Sequence, residues 1–197
     1  MLQSMQRFIL ALVLLALVAC PRPSSPDAGK ESEAEAGPDC NLEAGVVYVP
    51  APTKIETHFS PKGGCQDAVV VHIKTAKKVR VQAYTLTAKP VVDALVEAGT
   101  RGADVAVILD SLEAKMAVSP VPALRTGKIA VFIDAMHALA HNKVMIFDDA
   151  TVLTGSYNFT NASEEKNAEN CVFIEDAGVA ASFLANWNAH REHVSVP

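Results

Sequence analysis

Basic side chains are scarce in this chain of 197 residues: 17 lysines and arginines stand against 22 aspartates and glutamates, for a formal charge of −5. That excludes a polycation built to coat nucleic acid, so any anionic substrate has to be met by a local patch. Aromatic residues make up only 6% with a single tryptophan, and four cysteines are too few for a disulfide-dense miniprotein. The longest apolar run, the 12 residues from Phe8 to Ala19, falls well short of the roughly 20 needed to cross a bilayer. What the chain does have is a hydrophobic fraction of 50%. That is enough to build one domain with a real core, and it rules out disorder throughout.

The charge is unevenly placed. Residues 21–45 hold Arg22 and Lys30 against Asp27, Glu31, Glu33, Glu35, Asp39 and Glu43, whereas residues 46–197 are nearly balanced. Arg7 followed by the apolar run has the form of an export signal, which assigns residues 1–19 to a signal peptide. The run ends Leu17-Val18-Ala19-Cys20, which resembles a bacterial lipobox with Cys20 as the lipidated residue; ordinary cleavage with Cys20 incidental is the alternative. Two or more acyl chains would anchor the protein stably to a membrane. Residues 20–45, rich in Pro, Ser, Gly, Ala and acid, cannot bury enough surface to offset ordering and read as a linker. Of the remaining Cys40, Cys65 and Cys171, at most one pair can bridge, and spacing does not choose which.

The domain therefore runs from 46 to 197, where strand and helix patterns alternate. Strands are expected over Lys54–Phe59, Val79–Leu86, Asp104–Leu109, Ile129–Ile133, His141–Asp148, Thr151–Thr154 and around Cys171–Ile174. Helices are expected over Cys65–Lys77, from the Thr87 cap to Gly99, and over Ala177 to about His190, the last burying Phe183, Leu184 and Trp187. The order predicts an α/β fold with a mixed, mostly parallel sheet sandwiched by helices.

The chemistry gathers in His141 to Asn170. On a strand, side chains two apart share a face, so His141 and Lys143 point the same way. An imidazole beside a fixed ammonium suits phosphoryl transfer, one group to attack and one to hold the anion. Gly155-Ser156-Tyr157-Asn158 adds a hydroxyl, a carboxamide and a glycine that allows close backbone approach.

His141, Lys143, Asp148, Gly155, Ser156 and Asn158 fit the pattern H-x-K-x(4)-D-x(6)-G-S-x-N without a departure, and in this the chain resembles the phospholipase D superfamily, in particular its small single-motif bacterial endonucleases. The likeness extends through Phe59-Ser60-Pro61, Ala83–Thr87, Arg101-Gly102 and Asn167–Asn170. It implies that His141 is the nucleophile forming a phosphohistidine, that Lys143 and Asn158 hold non-bridging phosphate oxygens, and that Ser156 supports the site. Glu169 is then the carboxylate that accepts from the other imidazole nitrogen, and Asp148 is a structural member of the motif. No cofactor is implied.

Superfamily chemistry uses two histidines. His72-Ile73-Lys74 is the only other His-x-Lys, but it lacks the rest of the pattern and reads as helix, so a homodimer presenting His141 from each chain to one phosphate is expected. Catalytic metal is the rival chemistry, because His137 and His141 are four apart and His190 and His193 three apart; no carboxylate is placed like that of a helical zinc protease. The sequons at Asn158 and Asn161 are taken as chance. For substrate, nucleic acid is the first expectation, with Lys74, Lys77, Lys78 and Arg80 as a phosphate-tracking patch. A membrane phospholipid is the alternative, and an inactive binding module the third.

Overall fold

The computed structural model describes residues 54–196. The expected signal peptide, the expected lipidated Cys20, the expected linker and Cys40 lie outside them. Seven strands form one sheet: β1 (Lys54–Ser60), β2 (Lys78–Ala83), β3 (Asp104–Asp110), β4 (Ala130–Asp134), β5 (Lys143–Phe147), β6 (Thr151–Gly155) and β7 (Glu169–Glu175). Their order across the sheet is β1-β7-β6-β5-β2-β3-β4. Between them lie α1 (Cys65–Thr75), α2 (Lys89–Thr100), α3 (Ser111–Lys115), α4 (Val121–Thr126) and α5 (Asn161–Glu165), with α6 (Ala177–His193) at the end.

The sheet is mixed and flanked by helices, as the pattern predicts, but it is not mostly parallel. Only β2-β3 and β3-β4 run parallel, while β1-β7, β7-β6, β6-β5 and β5-β2 are antiparallel. The reason is local. β5 and β6 are joined by the tight turn Asp148-Asp149-Ala150, which can only return the chain antiparallel, whereas β2, α2 and β3 form a helical crossover.

Alternation along the central strands divides the core in two. Val105, Val107 and Leu109 face a layer with Val69, Ile73, Val91 and Leu95 of α1 and α2, whereas Ala106 and Ile108 face Ala180 and Trp187 of α6. Burial on both faces explains why β3 and β5 read as unbroken apolar runs. Trp187 is buried and its indole N–H donates to the Val81 carbonyl at 2.9 Å, while Phe183 and Leu184 pack at the margin of that layer. Cys65 and Cys171 form a disulfide with Cα atoms 6.3 Å apart, tying the start of α1 to β7. Among the described residues no helix is long and apolar enough to cross a membrane.

Candidate active site

One rim of the sheet collects His141, Lys143, Ser156 and Glu169 of the expected residues, together with Tyr84 and Ser60. Tyr84 follows β2, His141 leads into β5, Ser156 follows β6, Glu169 opens β7 and Ser60 closes β1. The segment after β2 is the seam between the two halves of the motif. Tyr84 N donates to the Asn142 carbonyl at 2.8 Å, Phe159 N donates to the Thr85 carbonyl at 3.1 Å, and Thr87 N donates to the Phe159 carbonyl at 2.9 Å. The His141 strand and the Asn158 loop are thereby held to one backbone.

His141 is exposed, and its ring lies against Tyr84 with centroids 4.6 Å apart. Lys143 is buried; its ammonium donates to the His141 carbonyl at 2.8 Å and stands 5.1 Å from the Tyr84 ring centre. Burial holds its pKa below the usual lysine value, opposed by the charge of Glu169. A partly dehydrated ammonium attracts an anion more strongly than one in bulk water.

Gly155 takes φ 149°, and a Cβ there would lie 2.3 Å from the Asn170 carbonyl oxygen. That oxygen accepts from both Ser156 N (3.1 Å) and Tyr157 N (3.2 Å), so the glycine lets the loop fold tightly onto β7. Ser156 Oγ donates to Glu169 Oε2 at 2.6 Å, and Asn167 Nδ2 donates to Oε1 at 3.0 Å. Ser60 Oγ accepts from Glu169 N at 3.1 Å and donates to the Asn167 carbonyl at 3.0 Å, fixing the strand start. The expectation that Glu169 accepts from His141 is not met within one chain. β7 pairs with β6, so the Glu169 carboxylate is taken up by Ser156 and Asn167 beside it, and among the described residues no side chain is hydrogen-bonded to His141. The Asn158 Oδ1 atom is buried without a hydrogen-bond partner among the described residues.

Asp148 lies at the opposite end of β5, about 23 Å of strand from His141. It has φ 52°, and its Oδ1 accepts from Lys77 N and Lys78 N, each at 2.8 Å. It closes the turn and is remote from the rim. The suggested basic patch is also corrected. Lys77 and Lys78 sit at that same far end, Lys78 pairs with Asp149 at 2.7 Å, and Arg80 pairs with Asp104 at 2.6 Å. His72 lies on α1, stacked on Phe173 with centroids 4.5 Å apart, in keeping with its reading as helix. His137 does not join His141; it meets His190 and His193 instead.

Sequence reasoning missed the roles of Tyr84, Ser60 and Glu164. Tyr84 stood inside a quoted stretch, and an aromatic at a strand end beside the motif was the available signal. Glu164 had none: it is buried in α5, accepts from Gly64 N (3.2 Å), Gln66 N (3.0 Å) and the Tyr157 hydroxyl (3.0 Å), and so clamps the start of α1 to the Ser156 loop.

An exposed imidazole beside a buried ammonium, backed by a hydroxyl and a carboxamide, is the layout of a phosphoryl-transfer site. Comparison with known proteins agrees. The family described as "Cardiolipin synthase, PLD-like domain" matches residues 69–191. A protein named Phospholipase D from Rickettsia bellii is 40% identical over 140 residues, 71% of this chain and 70% of that protein. A mitochondrial cardiolipin hydrolase from Chlamydomonas reinhardtii is 32% identical over 105 residues, 53% of this chain and 47% of that protein. The crystal structure of Nuc, a phospholipase D family member from Salmonella typhimurium, superposes with a TM-score of 0.68 at 34% identity, covering 72% of this chain and 96% of Nuc. The chain belongs to the phospholipase D superfamily and is a phosphodiester hydrolase.

Proposed function

We propose that this hydrolase cleaves nucleic acid, DNA or RNA, through a phosphohistidine formed on His141, and that it works as a homodimer. The observation that carries the reading is the state of His141, exposed and hydrogen-bonded to no side chain among the described residues, beside an ammonium already fixed in place. His141 attacks phosphorus and displaces one ester oxygen, which takes a proton from the partner's His141; water then attacks the phosphohistidine and frees the enzyme. Lys143 and Asn158 hold the non-bridging oxygens, and Ser156 with Glu169 keeps the loop in register. A polymer is supported by the openness of the rim, where His141, Ser156 and Asn170 are all exposed. Export with a lipid anchor at Cys20 is part of the reading, and the Cys65–Cys171 disulfide supports an oxidising compartment.

A phospholipid is the second reading, favoured by five exposed apolar side chains. Leu112, Met116 and Val118 lie on and after α3, and Met136 and Leu139 lie on the loop before His141. The Asp110 carboxylate draws the two segments together, accepting from Leu112 N at 2.7 Å and Ala140 N at 2.8 Å. The test sets plasmid DNA, RNA and vesicles of phosphatidylcholine or cardiolipin before the wild type and His141→Ala. Cleaved nucleic acid with a loss of at least about 10³-fold in the variant is expected. Headgroup release with intact DNA and RNA would overturn the first reading in favour of the second.

A further inference from the structure

At the β4 edge of the same rim, about 14 Å across the sheet from β5, four side chains converge that the phosphodiesterase site does not use. Asp134 closes β4 and is fully buried, His137 follows three residues on, and His190 and His193 lie one turn apart near the end of α6. Asp134 Oδ2 is 2.9 Å from His137 Nδ1, 3.4 Å from His190 Nδ1 and 3.8 Å from His193 Nε2. One ligand atom from each of the four residues lies within 4.8 Å of every other.

The geometry points to a structural site for a divalent transition metal of the zinc class, bound by three imidazole nitrogens and one carboxylate oxygen. That donor set, neutral nitrogens with a single charged oxygen, suits zinc and discriminates against magnesium and calcium, which take oxygen. Distance is the second argument. Separations of 3.4 and 3.8 Å are close to the edge of a zinc tetrahedron, about 3.3 to 3.4 Å when the metal–nitrogen bonds are 2.0–2.1 Å, while the 2.9 Å from His137 Nδ1 is a hydrogen bond that a bound ion would replace. Even four atoms 4.8 Å apart would lie only about 2.9 Å from a common centre, so side-chain rotations of about 0.9 Å or less per ligand complete the site. Burial is the third. The fully buried carboxylate accepts through Oδ1 from Met136 N at 3.1 Å and His137 N at 3.3 Å, while its Oδ2 faces the three imidazoles.

Four protein ligands leave no open position, so the ion's work is structural. It would pin the last turns of α6 to residues 134–137, just ahead of the segment that delivers His141. Asp110 already holds the middle of that segment at Ala140 N. The sequence displays the two histidine pairs, but only the fold joins His137 to His190 and His193.

The untagged full-length chain, stripped with EDTA and dialysed, is titrated with zinc, cobalt(II) and magnesium. One equivalent of zinc per chain is expected, with Tm raised by about 10 °C once zinc exceeds Kd about a thousandfold. Cobalt(II) should give the intense visible absorption of a tetrahedral site, and magnesium should change neither readout. His193→Gln should lose the cobalt absorption and the zinc-induced rise in Tm. No zinc uptake and an unchanged Tm in the wild type overturn the proposal, whether or not the variant folds. So does a cobalt spectrum that survives in His193→Gln, which would place the metal elsewhere.

Discussion

The Glu169 carboxylate acts on the charge of Lys143 across the rim. Burial lowers the Lys143 pKa and the Glu169 carboxylate raises it, so Glu169→Gln leaves the ammonium easier to deprotonate. If Lys143 holds phosphate as a cation, the alkaline fall of kcat/KM moves to lower pH in this variant, while Lys143→Ala loses about 10²–10³ in kcat. A pH–rate profile with an unmoved alkaline limb would remove Lys143 from phosphate binding. Glu164 is a residue of a different kind. Burial and the Glu164 carboxylate push the Tyr157 phenol pKa far up, so the hydroxyl stays a donor at any working pH. Tyr157→Phe deletes one of three donors to that carboxylate and should cost about 1.5–3 kcal/mol, whereas Glu164→Ala orphans all three and should cost more. Chemical denaturation of the two variants gives the order, and equal losses would mean that the clamp on α1 contributes nothing.

At the scale of elements, the β5–β6 turn and β1 make separable contributions. Asp148 sits at φ 52°, where an aspartate is tolerated and an alanine is strained, and it accepts two backbone N–H groups. Asp148→Ala should cost about 2–3 kcal/mol and Asp148→Asn less than half of that, both with kcat/KM unchanged because the turn is remote from His141. A tenfold fall in kcat/KM at full stability would instead give the aspartate a catalytic part. On β1, burial alone would lower the His58 pKa, but Glu56 at 2.8 Å and the Gly63 carbonyl at 2.9 Å outweigh it and raise the value. The hydrogen bond to His58 lowers the Glu56 pKa. The His58 contribution is present below its unfolded value of about 6.5 and fades as pH rises through the raised folded value; the Glu56 contribution is present above about 4.3 and is lost as pH falls through the lowered one. The Tm gap between wild type and Glu56→Gln should therefore be widest between those limits and shrink by pH 8; a gap independent of pH would show that the pair is not ionic. Strands and helices were legible because Asp104–Leu109 and His141–Asp148 carry buried-strand patterns and Asp148-Asp149 a turn. Strand direction and the partners of Glu169 were not, because they depend on which strands become neighbours, as β7 does to β6 and β1. The segment 111–126 was illegible because α3 and α4 are too short to show a helical period.

For the whole molecule the decisive quantity is the number of His141 side chains per active centre. Each chain holds one His-x-Lys at the rim, and the other, at His72, faces Phe173 from α1. If one imidazole attacks while a second protonates the leaving oxygen, the second must come from another copy across an isologous interface. Among the described residues the Glu169 carboxylate is held by Ser156 and Asn167, and no side chain is hydrogen-bonded to His141. Sedimentation should then show a dimer at assay concentration. A sharper measurement co-expresses wild type and His141→Ala at equal levels and assays the mixture. With one histidine from each chain in a shared centre, only wild-type pairs turn over, so activity per total protein falls to about a quarter, because losing the acid partner alone costs about 10²–10⁴ in rate. Independent centres would leave half. An activity near one half, or a fully active monomer, removes the symmetric reading and requires the proton to come from a group within the same chain.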